Sequence, residues 1–267
     1  MDIAGRRANA IKVLADCVRE AHEQVPLRLS SLAGGTARNA IPREAHAVLL
    51  VPRAESPRAR AALGAAGQAA RVAFAATDTD LRVTVEEAPA PATAWPVRTT
   101  VTMLDLIVAV PSGPLAMSPH FADLVETSTS LGLALTDDRA LELHSLTRTS
   151  NQAALRGVLD TFAAAARLAG SGLEVQHGYP AWEPQMSSPL LATCAAIWQD
   201  LYGDPPVVTA AHAGLEPALI GRSLPGIDMV SIGPLIESPH SPGERVSVSS
   251  VQRFWRFLLA VLDSLSA

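Results

Sequence analysis

Apolar residues recur at helical spacing near the start of the chain, where Ala8, Ile11, Leu14, Ala15 and Val18 predict an amphipathic helix from Gly5 to about Glu23. Leu27 to Leu32 then reads as a strand, Ala33-Gly34-Gly35-Thr36 as a tight turn and Ala45 to Val51 as a second strand. Pro57 to Ala76 reads as a long Ala/Arg helix. Leu81 to Glu87 alternates apolar and polar residues as a half-buried strand does. The alternation of strand and helix patterns predicts an α/β layer. The Pro-rich run Ala88 to Pro96 interrupts it as a loop or linker.

Thr99 to Val110 carries the next helix, closed by Pro111-Ser112-Gly113. Val125 to Thr136 and Ala140 to Arg148 read as strands, with a hairpin turn at Asp137-Asp138-Arg139. Ser150 is a candidate N-cap for a helix reaching Ala169, and Leu173 to Gln176 reads as a closing strand. Gly178 to Pro184 breaks the pattern as a domain junction would. Beyond it, Pro189 to Tyr202 and Ser247 to about Leu265 are helical, while Val207 to Ala211 and Asp228 to Ile232 are nearly continuous apolar runs. Such runs belong to parallel strands covered on both faces. The chain thus reads as two units, an α+β unit over 1–178 and an α/β remainder over 183–267. Alone, the second unit would leave strand edges unpaired. Its strands are expected to pair with another chain or with further parts of the same domain, and the chain reads as starting inside folded structure.

Composition narrows the function. A hydrophobic share of 48% among 267 residues builds real cores and excludes a disordered chain. The net charge is −5 with no basic stripe, so nucleic acid is not an expected partner. No apolar stretch reaches the roughly 18–20 residues of a membrane span, and no signal peptide pattern opens the chain. Cys17 and Cys194 show no CxxC spacing and no disulfide framework, which fits a reducing cytoplasm. Serine-hydrolase, P-loop, HExxH and dinucleotide motifs are missing.

Three loops hold candidate chemistry. Ser231 to Glu244 is a Gly/Pro-rich loop after an apolar run and presents His240, either a metal ligand or a loop-packing histidine. Ala211-His212-Ala213-Gly214-Leu215-Glu216 opens a helix, where His212 and Glu216 could form a metal pair, a substrate clamp or a salt bridge. Gly34 to Ala45 holds Asn39, whose amide could donate to an oxyanion or could serve a structured turn. Arg148 could bind a carboxylate through both guanidinium arms or make an ordinary ion pair.

At these residues the sequence resembles a known family. RANAIK at 7–12, GGTARNAIPREA at 34–45, PSGPLAMSP at 111–119, LVETSTSLG at 124–132, GYPAW at 178–182, HAGLE at 212–216, DMVSIGPLIESPHSP at 228–242 and FWRFL at 254–258 occur in one order. Together they are similar to the aminoacyl-histidine dipeptidases, also called cytosol nonspecific dipeptidases or peptidase D, of the di-zinc exopeptidase family. The resemblance implies that 1–178 is a lid domain that dimerises and that 183–267 is the C-terminal part of the catalytic domain. It implies hydrolysis of unblocked dipeptides such as Xaa-His by a water activated between two zinc ions. His240 matches the last zinc ligand of the family. Asn39 and Arg148 match lid residues that contact substrate, and Gly214 and Glu216 fall in a loop lining the substrate pocket.

The family's HxD motif, bridging Asp, Glu-Glu pair and further Asp have no counterpart in the chain. The general base is among them, so no catalytic residue is assigned here. The expectation is a metallo-dipeptidase by family whose zinc site is incomplete within these residues and which is inactive alone. The alternative is a non-catalytic dimerisation or peptide-binding module.

Overall fold

A computed structural model describes residues 3–137, 139–176, 178–210, 215–239 and 241–266, and the chain divides into two compact units, 1–177 and 178–267.

In the first unit, helix α1 (Ala10–His22) is capped by Asn9, whose Oδ1 accepts from the backbone N–H of Ile11 (3.1 Å) and of Lys12 (3.3 Å). The helix starts five residues after the predicted boundary at Gly5, because the cap and not the pattern fixes the first turn. Ile11, Ala15 and Val18 are fully buried in the main core with Leu104, Ile107 and Leu131. Val13 and Cys17 form a second buried face with Ala66 of helix α2 (Ser56–Ala73). Burying a Leu or Ile side chain contributes about 1.5–3 kcal/mol each, so the α1 stripe is a principal source of this unit's stability.

The sheet holds β1 (Arg28–Gly34), β2 (Ala45–Leu50), β3 (Gly113–Met117), β4 (Val125–Thr136) and β5 (Leu141–Thr149). Every ladder in it is antiparallel. The chain is α/β in class, but its helix–strand alternation does not produce parallel βαβ pairing. Strand β4 is the hub. It pairs β5 from Thr127 to Thr136, β3 at Val125 to Thr129, and β1 at Ala134. The Thr136 hydroxyl reinforces the β1 junction: it accepts from the Leu32 N–H at 2.8 Å and donates to the Leu32 carbonyl. Helix α3 (Val97–Ala109) buries Thr100, Leu104 and Ile107, one face at i, i+4 and i+7. Helix α4 (Gln152–Ala169) is capped by Asn151 rather than by Ser150, with Gly170 in the left-handed conformation (φ 66°) at its end.

Three readings of the first unit change. Leu81 to Glu87 forms no strand: its alternation reflects packing on α2, where Val83 lies so close to Gly67 that a Cβ there would stand 2.7 Å from the Val83 Cβ. Leu173 to Gln176 is also irregular. Conversely, Gly113, the last residue of the predicted helix stop Pro111-Ser112-Gly113, begins a strand over Gly113 to Met117. Proline and glycine punctuate its start without preventing pairing on one edge. The Pro-rich loop is held in place, since Trp95 N–H donates to the Leu29 carbonyl (2.8 Å) and Arg28 Nη2 to that of Ala94 (2.7 Å).

The second unit contains α5 (Pro189–Tyr202), α6 (Glu216–Ser223), a two-residue ladder of β6 (Ile236–Glu237) with β7 (Arg245–Val246), and α7 (Val248–Ser266). Its core is small: Cys194 of α5 meets Phe257 and Val261 of α7, with Trp198 and Tyr202 alongside. Trp198 stacks edge-on to Tyr202 and Phe257 at 4.6 and 5.2 Å, and the Arg253 guanidinium lies 4.5 Å from the Tyr202 ring centre. The apolar runs at 207–210 and 228–232 are irregular, and Val207 is 92% exposed. A strand needs a partner for its backbone groups, and among the described residues these runs have none in a sheet.

Candidate functional site

Asn39 lies on the turn between β1 and β2 and is exposed. The turn is anchored by backbone. Gly35 takes φ +78° and its N–H donates to the Glu44 carbonyl at 3.1 Å, while the Ala40 N–H closes the turn on the Ala37 carbonyl at 3.2 Å. The turn docks against Gly132 at the β4 bulge, where a Cβ would stand 2.5 Å from the Arg38 carbonyl oxygen. Arg38 Nη1 also donates to Gln176 Oε1 at 2.9 Å. The Asn39 side chain is therefore presented from a fixed platform.

Arg148 lies on β5 opposite Ser128 and is exposed. Strand alternation puts it on one face with His144 and Leu146. The other face of this ladder carries paired hydroxyls: Thr127 with Thr149 at 2.8 Å and Thr147 to Thr129 at 3.0 Å. These bonds fix the β4–β5 register on which Arg148 depends.

A cleft of about 260 Å³ at the start of α1 is lined by Arg6, Asn9, Lys12, Asp16, Ser112 and Ser130, among others. Lys12 is committed to structure there. Its Nζ donates to the carbonyls of Ile107 (2.6 Å), Val108 (2.8 Å) and Val110, closing the C-terminus of α3. Burial lowers its pKa to about 8 against the opposing charge of Asp16. Asn9 Nδ2 donates to the Leu131 carbonyl at 2.8 Å and to Ser112 Oγ at 3.3 Å. Sequence reasoning gave these two residues no such roles, because their partners lie about a hundred residues away and leave no local pattern.

In the second unit, Glu216 is the exposed first residue of α6, a position that suits an acid at a helix N-terminus. Gly214, His212 and His240 lie outside the described residues. Asp228, in the motif before His240, is committed to α5: it accepts from Ser188 Oγ at 2.6 Å and from the Leu190 N–H at 2.9 Å. Those bonds, the hydroxyl's first, hold its carboxyl below the usual range. Glu237 pairs with Arg245 across β6–β7. Among the described residues no three His, Cys, Asp or Glu side chains gather to hold a metal ion. A catalytic zinc takes three protein ligands, so the described residues do not by themselves fit one.

Residues 3–75 match the family described as "Peptidase dimerisation domain" (M20_dimer). The chain is 31% identical over 259 residues to the cytosol non-specific dipeptidase of Escherichia coli (strain K12), a match covering 97% of this chain and 53% of that protein. Its fold matches the crystal structure of the aminoacylhistidine dipeptidase from Vibrio alginolyticus with a TM-score of 0.91 at 30% identity, over 98% of this chain and 54% of that one. In sequence and fold the chain is similar to these dipeptidases, and it spans about half of their length.

Proposed function

We propose that this chain forms part of a metal-dependent dipeptidase, with residues 1–178 as its lid and 183–267 as the C-terminal portion of its catalytic domain. The observation that carries the reading is a likeness to two dipeptidases that extends over nearly every residue of the chain. The substrates are unblocked dipeptides, including those ending in histidine. Arg148 binds the substrate carboxylate through both guanidinium arms, and the Asn39 amide donates to the oxygen that gains charge on the scissile carbonyl. Gly214 and Glu216 line the pocket. The cofactor is zinc, to which this chain offers His240 as one ligand, while the remaining ligands and the general base come from the rest of the fold. The platform under Asn39 and the hydroxyl-paired ladder under Arg148 support those roles, since donors held rigid before substrate arrives lose least on binding.

Two chains pair through the first unit, as the dimerisation-domain match over 3–75 suggests. No helix among the described residues is long and apolar enough to cross a membrane, and the name of the E. coli relative points to the cytosol. A second reading, a non-catalytic dimerisation or peptide-binding module, draws on the same match, which falls wholly within the first unit.

The test is hydrolysis of a free aminoacyl-histidine dipeptide and of its N-acetylated form, with zinc content measured in parallel. The chain alone is expected to hold less than one zinc and to cleave neither. With the rest of a dipeptidase fold supplied, the free dipeptide alone is cleaved. Turnover by the isolated chain with a full zinc complement overturns the shared-site reading. An assembled protein inert toward every unblocked dipeptide overturns the dipeptidase reading. Sedimentation showing twice the 27.9 kDa chain mass supports pairing, and a monomer at all concentrations refutes it.

A further inference from the structure

The cleft at the start of α1 takes no part in the proposed function, yet several of its polar groups have nothing to bind. Ser130 on its wall is 6% exposed, and its buried Oγ has no hydrogen-bond partner among the described residues. A buried hydroxyl left unsatisfied costs free energy, and few such groups occur in folded proteins without a reason. Ser112 also lines the cleft, and its Oγ accepts from Asn9 Nδ2 and from the Leu131 N–H, both at 3.3 Å. Its own proton is donated to no described residue.

Two charges of opposite sign line the same space. Arg6 is exposed and holds φ 48°, a left-handed conformation that costs a residue other than glycine free energy. Its guanidinium makes no hydrogen bond or ion pair among the described residues. Asp16 acts on Lys12 through its charge, but it accepts no hydrogen bond and joins no ion pair among them, with Arg6 or any other cation. The neighbouring cations are committed: three carbonyls take Lys12 Nζ, and Arg7 is held by the Thr77 carbonyl and Asp78. What is left over is a guanidinium and two hydroxyl protons to give, and a carboxylate to receive. A simple anion would meet the donors but be repelled by Asp16, and a simple cation would meet the reverse. A zwitterion matches both. Val13, Ile41 and Phe74 add an apolar wall. The cleft, at about 260 Å³, is smaller than the roughly 300–1,000 Å³ of drug-sized ligand sites. We propose that this cleft binds a free α-amino acid with an apolar side chain, its carboxylate on Arg6 and Ser130 and its ammonium on Asp16. The inference stands on the cleft alone. Beside the dipeptidase reading it has a further meaning, since the ligand is of the class that dipeptide hydrolysis releases.

The probe is L-leucine, titrated into the full chain by isothermal calorimetry. N-acetyl-L-leucine, which lacks the ammonium, and L-leucinamide, which lacks the carboxylate, are titrated beside it. Leucine is expected to bind, and each blocked form to bind about tenfold more weakly or worse. Arg6→Gln and Asp16→Asn should each weaken leucine about tenfold or more, with circular dichroism matching the parent. Ser130→Ala separates binding from stability. Removing an unpartnered hydroxyl should leave the urea midpoint unchanged or raised, while leucine affinity falls. No leucine binding at millimolar concentration overturns the proposal. Equal binding of leucine and either blocked form does so too, because one of the two charges is then not read. Leucine affinity unchanged by Arg6→Gln, by Asp16→Asn or by Ser130→Ala also overturns it, because the ligand is then not held as described. Hydrolysis is not among these readouts, so each of those failures leaves the dipeptidase reading standing.

Discussion

Gly35 and Gly132 approach so closely that a Cβ on Gly35 would lie 1.9 Å from the Gly132 carbonyl oxygen. Gly35 also holds φ +78°, a conformation that L side chains rarely adopt. Gly35→Ala is expected to destabilise the chain by roughly 2–4 kcal/mol, from left-handed strain and the backbone clash together. Gly132→Ala, meeting the Arg38 carbonyl at 2.5 Å, should act in the same direction. Urea unfolding measures both, and a loss below about 0.5 kcal/mol would show that the turn can move away from β4 at little cost.

Asn9 joins two structural tasks that a substitution can separate. Its Oδ1 caps α1, and its Nδ2 satisfies the Leu131 carbonyl at 2.8 Å. Asn9→Ala loses both, at roughly 2–3 kcal/mol. Asn9→Asp retains the cap but sets an acceptor against the carbonyl, so it should still fall clearly below the parent. Equal stability of the Asn9→Asp variant and the parent would assign the residue to capping alone.

Cys17 is 2% exposed and packs with Val13 and Ala66. Burial pushes its thiol up to about 11, and the charges of Glu20 and Asp16 add to the effect. Cys194 is raised as well, by burial first. The thiolate is the reactive form. Neither cysteine should react with a disulfide reagent at about pH 8, near the ordinary thiol pKa, until the protein unfolds, when both should. Prompt labelling of Cys17 in the native chain would contradict its placement.

Asp228 makes α5 sensitive to acid. Its folded pKa lies below the unfolded value, through the bonds from Ser188 and Leu190. Its contribution is complete above the unfolded value of about 3.9 and is lost as pH falls through the folded pKa. Asp228→Asn should lower the urea midpoint at neutral pH, and the two proteins should converge in acid. Parallel curves from neutral pH down to about pH 2 would remove this role.

Much of the first unit, and helix α5 of the second, was legible because the signals are local. The α1 stripe, the β4–β5 hairpin and the α5 boundaries follow from periodicity and caps within a few residues. What the sequence misplaced depends on distant partners. Val83 alternates like a strand residue, but Gly67 decides where it packs. Asp228 opens an apolar run like a strand, but its carboxylate belongs to the Ser188 cap. Asn39 and Arg148 were visible as residues, whereas the glycine docking and hydroxyl ladder that steady them needed the three-dimensional pairing. The candidate residues of the second unit were singled out by their place in loops and by motif likeness, and a glycine- and proline-rich loop carries no periodicity from which geometry follows.

The shared hub strand has a consequence for how the first unit can be divided. Because β1 and β3 meet the same edge of β4 end to end, residues 3–75 have their sheet completed by segments well downstream. A protease cut within the exposed stretch 86–90 should leave two fragments that migrate as one body under native conditions. The 3–75 segment expressed by itself should be insoluble or molten, so the boundary drawn by likeness is not a boundary of autonomous folding.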